Sequence, residues 1–147
     1  MMLARARLLV ATAWAGSLWA VGYLAAPTLF ATLTDRVLAG TIAASLFHVQ
    51  ALVSIACALL LLLLLWRDKA GLPRARRATV LLTLVMLACT LVSHFGLQPE
   101  MAALRAAAGP GGVMESAAKG RFGMLHGISS SIYLFQSVLA AWLVIKQ

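Results

Sequence analysis

Acid is what this chain has least of. Its four carboxylates, Asp35, Asp68, Glu100 and Glu115, all fall between long apolar runs rather than inside them. Paired-carboxylate catalysis within a membrane is thereby excluded, because that chemistry places two carboxyl groups on one reacting bond. Asp35 and Glu115 read as solvated groups. Cysteine is scarcer still. Cys57 and Cys89 sit inside apolar runs with no CxxC partner and no metal-ligand spacing, so both read as small packed thiols. There is no GxSxG elbow and no phosphate-binding glycine loop. Gly109-Pro110-Gly111-Gly112 lacks a following Lys-Ser or Lys-Thr and reads as a flexible turn. No Ser-His-Asp arrangement is legible, although Ser129, Ser130 and Ser131 lie close to His126 in sequence. Charged residues make up 11% of the chain, where a soluble domain carries about 25%.

What is there instead is hydrocarbon. Hydrophobic residues are 63% of the total and mean hydropathy is +0.95. Four runs are long enough to cross a bilayer: residues 8–26, 38–66, 78–97 and 122–145. The expected architecture is a single all-α membrane domain over residues 1–147, a four-helix bundle. The first run is longer than the ~7–15-residue core of a cleavable signal peptide, so it reads as a retained helix. Pro27 is expected to end it, since the residue before a proline is biased away from helix. Asp35-Arg36 marks an aqueous turn. Residues 67–77 form a short basic loop broken by Gly71 and Pro73. Gln98–Gly120 is the one substantial polar segment, and Pro99–Ala108 reads as a short amphipathic helix with proline at its start. No internal repeat is visible.

The net charge of +8 needs no nucleic acid, because basic residues of membrane proteins gather in short cytoplasmic loops. There is also no basic stripe interleaved with aromatics. The N-terminus, the second loop and the C-terminus hold Arg5, Arg7, Arg67, Lys69, Arg74, Arg76, Arg77 and Lys146. The other side holds Arg36, Arg105, Lys119 and Arg121. That bias puts both termini in the cytoplasm, Trp66 and Trp142 at the inner interface, and the Gln98–Gly120 segment outside.

The chemistry inside the membrane rests on three histidines. His48, His94 and His126 fall at the outer level of three different spans. Each continues a polar stripe: Thr41, Ser45 and His48 on the second span; Thr79, Thr83, Thr90, Ser93 and His94 on the third; His126, Ser129, Ser130, Tyr133 and Ser137 on the fourth. Such stripes are expected to face one another, since lipid cannot satisfy their donors and acceptors. Three readings stay open. The imidazoles bond neighbouring hydroxyls or carbonyls, or hold a metal or haem, or line a proton or polar pathway. The spacing has no local signature such as HxxxH, and no carboxylate inside the membrane completes a ligand set. On the first span, Ala13, Gly16, Ser17 and Ala20 share a small-residue face suited to internal packing or to a homodimer.

The order of certain features is similar to a known family. Gly16 and Trp19 lie in the first span, Pro27 and Phe30 follow it, Gln98-Pro99-Glu100 ends the third, and the fourth opens Arg121-Phe122-Gly123-Met124-Leu125-His126-Gly127-Ile128-Ser129-Ser130. This resembles the transmembrane protein 205-like family, whose bacterial members are four-span domains of unknown function. The Phe-x-x-x-His-Gly-x-Ser pattern is the most specific mark. The resemblance carries Phe122, His126, Gly127, Ser129, Ser130 and Pro99 across as family positions and implies no reaction. A second resemblance, to copper-resistance D-type membrane proteins, lacks their paired-histidine signatures.

The expectation is therefore a non-enzymatic protein of a bacterial inner membrane without a cofactor. It would contact lipid, and would bind a membrane-protein partner, a second copy, or a small ligand in the seam between spans two, three and four. The alternative is a small transporter or a metal- or haem-handling protein using His48, His94 and His126. The absence of broken spans weighs against a coupled transporter. His126 itself is expected to be buried against the second or third span, with Gly127 permitting a close helix neighbour.

Overall fold

The computed structural model describes residues 2–67 and 73–147. The centre of the basic loop, residues 68–72, lies outside the described residues. Four helices are long and apolar enough to cross a membrane: α1 (Met2–Thr32), α2 (Arg36–Arg67), α3 (Arg74–Ala107) and α4 (Lys119–Ile145). Helix is the form an apolar chain must take in lipid, because each backbone N–H and C=O then finds a partner within its own segment. Among the described residues there is no strand.

Both prolines expected to break the chain fail to do so. Ala26, just before Pro27, is helical at φ −61°, ψ −50°, and α1 runs on to Thr32. The third helix likewise continues through Pro99 to Ala107, so the expected short helix after the third span is an extension of that span. The reason is the same in both. Immediately before each proline the helix widens to a π-helical stretch, Ala20–Ala25 in α1 and Val92–Leu97 in α3. A proline normally clashes with the carbonyl four residues back and lacks the N–H that would bond it. Widening by one residue per turn moves that carbonyl away.

The turn between α1 and α2 is fastened by its two charged residues. Asp35 Oδ1 accepts from the N–H groups of Val37 and Leu38 at 2.9 and 3.0 Å, an N-cap for α2. Arg36 donates to Phe30 O at 2.6 Å, covering a free carbonyl at the end of α1. Asp35 is thus a capping group rather than a merely solvated one. At the other long connection Ala108 leaves α3 with extended backbone, and Gly112 adopts φ +79°, where other residues are strained.

The helices form a ring in which α1 and α3 each touch α2 and α4. The half nearer the termini is solid. Ala11, Trp14, Leu18, Leu61, Leu65, Met86, Ala140 and Leu143 pack there with almost no exposure. In lipid such close packing, rather than escape from water, holds helices together. In the opposite half the bundle parts into two hairpins. The upper portion of α1 leans on α2, and that of α3 leans on α4.

The second hairpin repeats the plan of the first. Pro27 and Pro99 stand as far apart in sequence as the two widened stretches, and so do the buried triplets Ala11, Trp14, Leu18 and Thr83, Met86, Thr90. On the even helices, Phe47-x-x-Gln50 matches Tyr133-x-x-Gln136, and both glutamines are buried. The expectation of no internal repeat is corrected on these positions. The likeness is one of structural roles, and little residue identity accompanies it.

Not every small residue faces inward. Ala13, Gly16 and Ala20 lie exposed on α1, and a methyl group at Gly16 would meet nothing within 4 Å. The internal-packing role expected of that face belongs instead to Ala11, Trp14, Ala15 and Leu18.

Candidate functional site

A chamber of about 470 Å³ opens between the hairpins directly above the packed half. All four helices line it, where the sequence pointed to three. Its floor is a belt of neutral polar groups. Gln50 Nε2 donates to Ser17 Oγ at 3.1 Å and Ser54 Oγ at 3.3 Å, while Ser17 in turn donates to Trp14 O. Gln136 Nε2 donates to Thr90 Oγ1 at 2.8 Å and Met86 O at 3.1 Å. Each glutamine therefore joins an even helix to the odd helix of its own hairpin. No Asp, Glu, Lys or Arg side chain lines the chamber; its imidazoles are those of His94 and His126.

Tyr133 closes the seam between α4 and α1 at floor level. Its hydroxyl donates to Leu18 O at 2.6 Å, and the Gly22 N–H lies against that hydroxyl. The widened stretch of α1 begins between those two residues, where the regular ladder is interrupted. Gly22 is needed for the approach, because a Cβ there would run into the Tyr133 ring. Phe47 meets that ring edge-on at 5.3 Å and Tyr23 at 6.3 Å. Just below, Trp19 Nε1 donates to Ser137 O at 3.3 Å. Above this pair of bonds the rim is formed by exposed Tyr23, Pro27 and Phe30 on α1 and His126, Ser130 and Leu134 on α4. The chamber's mouth is thus on the side of the bundle, between the first and last helices.

A second, wider groove of about 920 Å³ lies between α2 and the α3 extension, and shares Phe30, Phe47, His94 and Gln98 with the chamber. Thr41, Ser45 and His48 face this groove. The hydroxyls of Thr41, Thr79, Thr83 and Thr90 each bond a carbonyl one turn back on their own helix. Among the stripe hydroxyls of the described residues, cross-helix bonds are made by Thr90, which accepts from Gln136, and by Tyr133, which donates to Leu18 O.

The three histidines do not converge. His48 and His94 approach with ring centroids 5.0 Å apart, and His94 also meets Phe95. His126 stands apart on α4, exposed, its ring stacked on Phe122 of the same helix at 6.1 Å. Among the described residues no three His, Cys, Asp or Glu side chains are placed to hold one metal ion. The burial expected for His126 is corrected: α3 and α4 lie against each other deeper in the bundle, at Thr90 and Gln136. Gly127 is exposed with no heavy atom near its would-be Cβ, so it seats no neighbouring helix.

The other positions marked by the resemblance are placed individually. Phe122 lies beneath Arg105, whose guanidinium is 5.9 Å from the ring centroid. Arg121 pairs with Glu100, its Nε donating at 2.6 Å, which fastens the α3 extension to the start of α4. Pro99 follows the widened stretch of α3, and Ser129 and Ser130 line the chamber.

Residues 9–110 match the family described as Domain of unknown function (DUF4149), well over half of the chain. The chain belongs to that family. Within the DUF4149 match fall α1, α2 and α3, with Gln50 and both interrupted stretches; α4, with Tyr133, Gln136 and His126, lies beyond it. No curated protein and no solved structure matches the chain.

Gln50 and Gln136 are the residues the sequence reading passed over. The available signal was physical: a lone amide inside an apolar span has no partner in lipid and must turn inward.

Proposed function

We propose that this membrane protein of the DUF4149 family is a transmembrane protein 205-like, non-enzymatic protein that binds a small uncharged molecule in the chamber between its two hairpins. The carrying observation is the chamber itself, lined by amides, hydroxyls, imidazoles and aromatic rings with no Asp, Glu, Lys or Arg. Cavities of a few hundred Å³ with a few placed polar groups are the usual form of a small-molecule site. The non-enzymatic reading is supported by the side-chain bonding. Among the described residues no serine hydroxyl bonds a histidine; Ser131 and Ser137 bond carbonyls of their own helix. The charge bias of the loops supports a bacterial inner membrane location with both termini cytoplasmic, so that the chamber lies in the outer leaflet.

Native mass spectrometry of protein released from nanodiscs tests this. An adduct of an uncharged small molecule is expected at near-unit stoichiometry, and Ala51→Phe, which projects a ring into the chamber, should remove it while melting stays cooperative. An adduct that survives Ala51→Phe would place binding elsewhere.

One observation favours a second reading, a small transporter. The interruptions of α1 and α3 stand at corresponding positions of two similar halves, an arrangement that marks substrate sites in transporters. Ser54→Cys on the chamber floor separates the readings: labelling from the outer side alone supports a binding protein, and labelling from both sides supports a transporter.

A further inference from the structure

The two floor glutamines have one engaged end each. Gln136 Nε2 reaches Met86 O, a pure acceptor, so the amide must present its nitrogen there. Gln50 Nε2 reaches Ser17 Oγ, whose proton is already given to Trp14 O, so that amide is oriented the same way. Neither Oε1 has a protein donor among the described residues, and neither is a fully enclosed atom, so both are open to the chamber although the residues are only 4% and 3% exposed. Both residues line the chamber. An acceptor on the wall of a mainly apolar chamber is satisfied by whatever donor occupies that space, a ligand or water.

We infer that the chamber recognises an uncharged amphiphile by its hydrogen-bond donor head, an alcohol or amide, whose O–H or N–H groups bond the Oε1 atoms of Gln50 and Gln136. This rests on the ligand-binding reading above and names the ligand class. The donor requirement follows from the two open acceptors. Preference for an uncharged head follows from a lining with no Asp, Glu, Lys or Arg to pair with a charge, its only basic groups being the imidazoles of His94 and His126, since an unpaired buried charge is prohibitive. The apolar body follows from the mouth. Tyr23, Pro27, Phe30 and Leu134 form a mainly apolar rim on the side of the bundle, at a level that faces lipid. An occupant enters from the bilayer and lays its chain against that rim.

The test uses the full chain in phosphatidylcholine nanodiscs with a diazirine-bearing long-chain alcohol as photoprobe. The label should map to chamber-lining residues of α1 and α4. 1-Decanol should displace it about tenfold better than decyl methyl ether, which keeps the acceptor and the chain but loses the donor. Glycerol should not displace it. Gln136→Met and Gln50→Met should each bring alcohol and ether to within about threefold of one another. Because either variant also loses a bond between helices, its melting is recorded alongside, and the alcohol-to-ether ratio of the native chain stands without it. Equal competition by alcohol and ether overturns donor recognition while leaving the chamber as a binding site. Displacement by glycerol overturns the membrane origin of the ligand. Labelling wholly outside the chamber overturns the ligand-binding reading itself.

Discussion

At the scale of single residues the structure reverses one expectation and supplies another. His126 looked like the organiser of the bundle because it stands in a family pattern. It is exposed, and its ring contact is with Phe122 on the same helix. His126→Ala is therefore expected to shift stability by less than about 0.5 kcal/mol, the usual range for a surface change, as read by thermal melting in detergent. Gly22 is the sensitive position. Adding one methyl drives Cβ into the Tyr133 ring, so Gly22→Ala should cost about 1–3 kcal/mol as an overpacking change. In a Tyr133→Leu background the same substitution should cost markedly less, since the two residues share one contact and their effects should not add. Equal costs in both backgrounds would show that the Tyr133 approach does not require the glycine.

At the scale of elements, span number and approximate position were legible because twenty apolar residues have few alternatives to crossing a bilayer. Their ends were not. Pro27 was read as a stop and Pro99 as the start of a separate helix, since local rules describe a proline against a regular helix; the widened turn of α1 begins beside a non-local contact, Tyr133 with Leu18 O. The chamber was half legible. His94, His126, Ser129, Ser130 and Tyr133 were singled out and do line it, but Gln50 and Gln136 were overlooked, because hydroxyl and imidazole stripes drew the reading from isolated amides. Helix ends offer a direct check. Asp35 caps α2 with two bonds, so Asp35→Ala should lower stability by about 1 kcal/mol. The Glu100–Arg121 pair ties two elements yet is 36% and 66% exposed, so Glu100→Gln should cost well under about 1 kcal/mol. A thermal-shift series that ranked Glu100→Gln above Asp35→Ala would contradict this ordering.

At the scale of the whole molecule, the proposed orientation rests on the charge bias of the loops, and it is open to a simple measurement. With single cysteines introduced into a Cys57→Ala, Cys89→Ala chain, a membrane-impermeant thiol reagent added outside should label position 107 and leave position 75 untouched. The reverse pattern would invert the protein. The twofold plan was not legible, because the halves share roles rather than residues: a buried Trp14 answers to Met86, and Ala11 to Thr83. A last consequence comes from the uneven filling of the bundle. One half is solid and the other holds an open-sided space of about 470 Å³, so the molecule is mechanically two materials joined end to end. Hydrostatic pressure favours whichever state eliminates internal void, and here the void lies at one end. Compression should therefore act first on the hinge between the hairpins, drawing Tyr23 and Leu134 together while the contacts around Trp14 stay unchanged. Aromatic resonances recorded under pressure should move at Tyr23, Phe47 and Tyr133 well before those of Trp14.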